Sequence, residues 1–289
     1  MLPPRLRRKF LNLLPTVLAT ATALLYVSGS AHSASTDSGP VLRAAAKLAR
    51  ADSGTVSSAL GPAVGSAVTH AVTPTMRNAE NAERTERALG ALASAVRPLS
   101  HPDALREAFE SYFAFRAARP DQARKPYLYF VDYGLSSSTP RGYVFEMDSL
   151  KIVDGPFMVA HGRGSAANAR GVPTRFSNAF GAATTSLGLY VAQEIYPFTG
   201  HSGGDAYHAL GLRLAGVSGQ FNDNALARGV VAHGAPYVTG TRAGRSEGCP
   251  AMEPARAERL LPKLANGGVV FLFAPDSGWM MRDPWVTAG

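Results

Sequence analysis

The hydrophobic pattern of the chain changes after Pro126, and this change does most to limit the folds available to it. Three short runs rich in aromatic and β-branched residues follow, at 127–131, 143–145 and 157–160. The segments between them carry the glycine and proline residues that are typical of turns, at 134–140 and 154–156. The pattern therefore predicts a β meander.

Further runs of the same kind predict more strands, and a helix precedes them all. The additional strand candidates are 187–192, 209–214, 230–232 and 269–273. A helical pattern begins at Ser100, and its apolar residues recur at the spacing of one helix face, namely Leu105, Ala108, Phe109, Tyr112 and Phe113. The predicted fold class is mainly β with some α: a mostly antiparallel β domain preceded by an α-helical segment.

The first 33 residues predict an export signal. Basic residues precede an apolar run and small residues follow it: Arg5, Arg7, Arg8 and Lys9, then 10–27, then 29–31, 33 and 34. The alternative is a permanent anchor, because an apolar stretch of this length could just span a bilayer. Arg7-Arg8 also resembles a twin-arginine signal. Cleavage near residue 32 or 34 predicts a protein of the periplasm or cell envelope with no stable membrane span.

Charge and cysteine content exclude several classes of function. The chain of 289 residues has a net charge of +8, and loss of the four basic signal residues would reduce it to about +4. This mild excess, without a basic stripe interleaved with aromatics, argues against a nucleic-acid partner. The single cysteine cannot form an intramolecular disulfide or supply several thiolates to a metal.

The lone cysteine, Cys249, lies in the sequence Gly-Arg-Ser-Glu-Gly-Cys-Pro-Ala, sixteen residues after His233. A thiol needs a base or a positive neighbour to react at neutral pH, and histidine is the natural base. Gly248 lets the backbone approach a substrate carbonyl, so amides around it could form an oxyanion hole. The alternative is a buried structural cysteine beside a histidine of the core.

Several stretches resemble the catalytic domain of murein L,D-transpeptidases, the YkuD-like cysteine enzymes, and in particular the branch with the motif Ser-x-Gly-Cys-Pro-Ala. They occur in order at 160–165, 176–178, 186–190, 221–225, 232–238 and 245–251. The resemblance implies a β-sandwich catalytic domain, with Cys249 as the acylated nucleophile, His233 as its base and Ser246 as a helper that orients the site. Many members of the wider fold have an arginine where this chain has Ala251, and Arg245 or Arg163 could take its place.

The resemblance also implies the reaction and its partners. Peptidoglycan stem peptides are the expected substrates, 3→3 cross-links formed through a cysteine thioester are the expected product, and carbapenem β-lactams are the expected inhibitors. Neither a cofactor nor a metal is implied. An L,D-carboxypeptidase, in which water takes the acyl group, and a non-catalytic wall-binding domain are the alternatives.

The sequence thus divides into three predicted parts. Residues 1–33 are the export signal, 34–100 form an Ala/Ser-rich, partly helical linker or N-terminal segment, and 101–289 form the L,D-transpeptidase-like catalytic domain. Within the last part, His161, Tyr190 and Arg245 are candidates for substrate binding. His201, Asp205 and His208 lack the spacing of a known metal motif, so no metal site is predicted.

Overall fold

A computed structural model describes residues 74–288. The predicted export signal and most of the predicted segment at 34–100 lie outside this part of the chain, so both remain predictions. Across 74–288, none of the helices combines the length and the apolar character that a bilayer crossing requires.

Two helices precede the sheet. Helix α1 spans Pro74–Leu92 and helix α2 spans Ala104–Ala118. The five apolar residues that define the predicted face of α2 are all buried, because this face packs on the sheet: the rings of Phe109 and Phe145 meet edge to face, with centroids 5.4 Å apart. The predicted amphipathic helix is confirmed, although it begins four residues after Ser100.

Most strands form one eight-stranded sheet in the order β3-β2-β1-β10-β5-β6-β7-β9, and β4 pairs with β8 in a separate two-stranded sheet. The strands are β1 (Tyr127–Asp132), β2 (Gly142–Glu146), β3 (Lys151–Phe157), β4 (His161–Gly162), β5 (Gly188–Ser202), β6 (Asp205–Gly216), β7 (Val231–Gly234), β8 (Arg245–Ser246), β9 (Ala251–Met252) and β10 (Val269–Phe273). The fold class is confirmed. Most pairs are antiparallel, whereas β1 with β10, β7 with β9 and β4 with β8 are parallel.

The predicted meander is present, but its second turn lies elsewhere. Strand β3 runs through Gly155 and Pro156, where the sequence predicts a turn, and the chain reverses earlier, at Leu150. A proline removes one ladder hydrogen bond, and an edge strand such as β3 tolerates this because one side of it is unpaired. The turn predicted at 154–156 is therefore wrong.

Two further helices lie in the C-terminal part of the chain and pack apolar side chains into the core. Helix α3 (Pro254–Leu264) buries Leu260, Leu261 and Leu264, and helix α4 (Ser277–Met280) buries Trp279. The Trp279 indole packs against Phe271 of the central strand β10, with ring centroids 5.8 Å apart. The aromatic C-terminal segment thus packs back on the domain.

Candidate active site

Sheet pairing brings His233 and the chain that carries Cys249 together. Strand β7 pairs with β6 on one side and with β9 on the other, and His233 lies opposite Ala251 of β9. Cys249 is only two residues before Ala251, so the register fixes the turn that holds the thiol beside the strand that holds the imidazole. Both side chains line one cavity of about 270 Å³.

We call this space the histidine cavity. Besides His233 and Cys249, its walls are Phe198, Gly200, His201, Tyr207, Tyr237, Arg245, Ser246 and Glu247. Phe198 and Tyr207 belong to the long β5–β6 hairpin, which the sequence predicts only in part because its outer half has no clear apolar alternation. The hairpin therefore supplies an aromatic wall to the candidate site.

Hydrogen bonding fixes the tautomer of His233. Its Nδ1 lies 2.9 Å from the backbone oxygen of Gly234, and since a carbonyl only accepts, Nδ1 carries the proton. Phe198 covers the imidazole face, with ring centroids 4.4 Å apart. Burial lowers the pKa of His233 to about 4. The ring is therefore neutral at pH 7, with Nε2 free to accept a proton.

Ser246 organises the turn before Cys249. Its Oγ donates to the backbone oxygen of Cys249 at 2.7 Å and accepts from the Gly248 N–H at 3.1 Å. These two bonds tie both ends of the turn to one hydroxyl. Such an arrangement suits the orienting role that the resemblance implies for Ser246.

Gly248 occupies a position that requires glycine. Its φ is +129°, and a Cβ there would lie 2.7 Å from the backbone oxygen of Thr184. Thr185 secures the same contact from the neighbouring residue, because its hydroxyl donates to the Gly248 carbonyl at 3.2 Å. The segment around Thr184 therefore contacts the turn at Gly248 and helps to hold it in place.

The amides of this turn are not equivalent. The Gly248 N–H donates to Ser246 Oγ, so it is not available to an oxyanion. This excludes one of the amides around Gly248 that the sequence suggests for an oxyanion hole. Among residues 74–288, the N–H of Cys249 has no hydrogen-bond acceptor. Backbone N–H groups are normally hydrogen-bonded, and one that has no protein acceptor beside a nucleophile can bind a developing oxyanion. The Cys249 amide is thus the candidate oxyanion donor.

Cys249 also borders a second cavity, of about 320 Å³, on the side of Arg228. We call it the arginine cavity. Burial raises the pKa of the Cys249 thiol, and the carboxylate of Glu247 adds to this effect, whereas the Val231 amide and the Arg228 guanidinium favour the thiolate. Burial is the largest of these influences, so thiol and imidazole are both neutral at pH 7. No hydrogen bond joins them within the described chain.

Arg228 is a residue of the site that the sequence did not indicate. Its guanidinium donates to the backbone oxygens of Ser177, Ala182 and Thr184, at 3.0 to 3.1 Å. Through these bonds it holds the 177–184 segment against Gly248 while its charge lies near the thiol. Only the run Asn-Ala-Leu-Ala-Arg-Gly before β7 could have suggested it, and an arginine in a loop has no distinctive local pattern.

The structure separates the three predicted substrate-binding residues. Arg245 is exposed and lines the histidine cavity. His161 and Tyr190 are fully buried: Arg141 donates to His161 Nδ1 at 2.9 Å, and the Tyr190 hydroxyl donates to the Ser186 backbone oxygen at 2.7 Å. Neither residue lines the histidine cavity or the arginine cavity, and direct substrate contact by His161 and Tyr190 stays a prediction.

Between residues 74 and 288, no three His, Cys, Asp or Glu side chains come together as potential ligands. His208 instead lies 3.2 Å from the Thr199 hydroxyl, and His201 borders the histidine cavity.

Comparison with known families gives an independent result. The L,D-transpeptidase catalytic domain model matches residues 98–273, more than half of the chain. The chain belongs to this family. The matched region includes the candidate site residues His233, Ser246, Gly248 and Cys249. No curated protein matches the chain.

The solved structures that match the chain are distant from it in sequence. An L,D-transpeptidase from Mycobacterium smegmatis is 14% identical, with 52% of this chain and 59% of that chain covered and a TM-score of 0.31. One from Stackebrandtia nassauensis is 16% identical, with 60% and 68% covered and a TM-score of 0.33. L,D-transpeptidase 3 from Mycobacterium tuberculosis, in complex with a faropenem-derived adduct, is 14% identical, with 51% and 60% covered and a TM-score of 0.28. The alignment thus spans about 59% of the length of the first of these relatives.

The protonation states of this L,D-transpeptidase domain lead to a pH prediction. Since burial raises the Cys249 pKa, alkylation by iodoacetamide is expected to be slow at pH 7 and to keep increasing with pH beyond roughly 8.5, the ordinary thiol pKa, before it levels off. The same protein unfolded in urea should react with the profile of a free cysteine. Stopped alkylation followed by mass spectrometry measures both. A rate plateau below pH 7 in the folded protein would instead reveal a thiolate–imidazolium pair.

Proposed function

We propose that this L,D-transpeptidase domain is an exported cysteine acyltransferase that forms 3→3 cross-links between peptidoglycan stem peptides through a thioester on Cys249. The observation that carries the proposal is that Cys249 and a neutral His233, with Nε2 free, border one cavity. A weakly acidic thiol and a nearby neutral base are the two groups that acyl transfer needs.

The first half-reaction forms the thioester. His233 Nε2 removes the proton of Cys249 as the sulfur attacks the carbonyl of the third stem residue, and the N–H of Cys249 stabilises the oxyanion that develops. The C–N bond to D-Ala then breaks, and His233 returns its proton to the departing amine. The C–S bond has replaced the C–N bond, and His233 is neutral again.

The second half-reaction transfers the acyl group. A neutral amine of a neighbouring stem attacks the thioester carbonyl, His233 takes one proton from it, and collapse of the intermediate breaks the C–S bond. The proton then passes from His233 to the sulfur, which restores the thiol. Water in place of the amine would give a tripeptide, the product of an L,D-carboxypeptidase.

Export to the periplasm or cell envelope is part of the proposal, because stem peptides are found there. The basic and apolar pattern of residues 1–33 supports it. Carbapenem inhibition is proposed on chemical grounds, since a thiol nucleophile can open a strained lactam carbonyl and retain the acyl group as a thioester.

Product analysis tests the proposed reaction. With purified protein and disaccharide tetrapeptides, mass spectrometry is expected to show a 3→3 cross-linked dimer and released D-Ala. The dimer fraction should rise with pH, because more of the acceptor amine, whose free pKa is roughly 10.4, is then neutral. Dominant tripeptide at every pH and acceptor concentration would replace the cross-linking assignment with a carboxypeptidase. Absence of both products from folded protein would favour the non-catalytic wall-binding alternative.

A further inference from the structure

Glu247 is unusually placed for a residue next to a catalytic thiol. Its side chain is 71% exposed and it borders both the histidine cavity and the arginine cavity. It is the only carboxylate among the described residues that line either space. Its negative charge raises the pKa of the Cys249 thiol, which works against formation of the nucleophile. Such a cost suggests that the carboxylate has another role at the site.

The present partner of Glu247 is weakly held. Its Oε1 lies 2.7 Å from Nε of Arg163, whose side chain is 61% exposed. Ion pairs this exposed contribute little, because water and salt screen both charges. The second oxygen, Oε2, has no hydrogen-bond partner among residues 74–288. Glu247 can therefore take another cation without breaking a strong interaction.

The acceptor amine has to enter through the histidine cavity. The departing D-Ala amine receives its proton from His233, and the incoming amine gives a proton to the same ring, so both pass the same nitrogen. Most acceptor molecules arrive as ammonium ions at neutral pH. Arg245 lines this cavity and would repel them, and Glu247 is the one anionic side chain among the described residues that line it.

We propose that Glu247 forms a subsite for the primary ammonium group of the acyl acceptor and so favours cross-linking over hydrolysis. This inference rests on the proposed transpeptidase function. Glu247 binds the ammonium, one proton leaves to solvent, and the neutral amine then attacks the thioester as described above. The C–N bond forms, the C–S bond breaks, and the second proton passes through His233 to the sulfur. Water carries no positive charge, so Glu247 does not assist it.

The test compares Glu247→Gln with wild type under three readouts, and the first of them is repeated with added salt. The KM for the acceptor stem peptide is expected to rise roughly fivefold to tenfold, the effect of losing a part-exposed charge-assisted contact, and the ratio of dimer to tripeptide should fall at subsaturating acceptor. Acylation by a carbapenem should become faster near neutral pH, because the thiol pKa falls. Added salt should raise the acceptor KM of wild type and leave that of Glu247→Gln nearly unchanged.

Two further variants serve as controls. Glu258→Gln removes the same charge from an exposed site on helix α3 outside both cavities, and it should match wild type in all three readouts. Glu247→Asp keeps the charge and should retain most of the acceptor affinity. A wild-type acceptor KM in Glu247→Gln, or a wild-type KM insensitive to salt, would overturn the ammonium subsite. If the carbapenem does not acylate wild type at all, the result overturns the proposed function and not only the ammonium subsite.

Discussion

Alanine at Cys249 or at His233 is expected to remove nearly all formation of cross-linked dimer. The thiol supplies the only nucleophile of the proposed reaction, and the imidazole moves the proton in both half-reactions. Loss of a general base alone lowers a rate by roughly 10²-fold to 10⁴-fold, and loss of the nucleophile leaves no thioester to transfer. Initial rates with disaccharide tetrapeptide measure both losses.

The double variant distinguishes one catalytic unit from two separate contributions. Because His233 acts only through Cys249, the protein lacking both groups should be little slower than the protein lacking Cys249 alone. His208→Ala is the matched control, since this exposed histidine bonds to Thr199 on the hairpin rather than to the site. Losses that multiply in the double variant would argue against a shared step.

Gly248→Ala is expected to have the second-largest effect. The added Cβ would lie 2.7 Å from the Thr184 carbonyl oxygen, and the φ of +129° is one that alanine rarely adopts. Backbone strain of this kind costs about 1–3 kcal/mol of folding stability. Relief of the clash has to move the turn and with it the sulfur, and a displacement of about 1 Å can lower a rate roughly 100-fold.

A glycine with open surroundings separates strain from displacement. Gly219 also has a positive φ, of +56°, but its added Cβ would have no atom within 4 Å. Gly219→Ala should therefore lose some stability and keep its rate of acyl transfer. Urea unfolding and dimer formation measure the two quantities for both variants. Wild-type activity in Gly248→Ala would show that the contact with Thr184 does not position the nucleophile.

The sequence predicted those parts of the site that depend on local chain geometry. The Cys249 motif and the strand that carries His233 lie sixteen residues apart, and the β7–β9 register brings them to one cavity. The sequence also indicates Gly248, because a turn that presents a nucleophile needs close backbone approach. The cysteine motif and the histidine strand are each local, so their residue types are visible in a single sequence, whereas the pairing of the two strands comes from the fold.

What the sequence could not predict depends on contacts between distant segments. Tyr190 lies on a strand, but its burial follows from the position of β5 between β10 and β6. His161 is covered because the fully buried Arg141 packs against it. Arg228 gains its role from carbonyls some 40 to 50 residues earlier in the chain. Sequence patterns give the element, whereas tertiary packing decides which face is accessible.

The intact mass of the protein after incubation with a carbapenem tests the central claim, that Cys249 is the residue acylated. The account predicts a stable increase equal to the mass of one carbapenem, located by peptide mapping at Cys249. Cys249→Ser should show no adduct under the same conditions, because a serine hydroxyl is a much weaker nucleophile beside this histidine. An adduct that persists in Cys249→Ser, or an unmodified wild-type protein with an intact fold and thiol, would contradict the account.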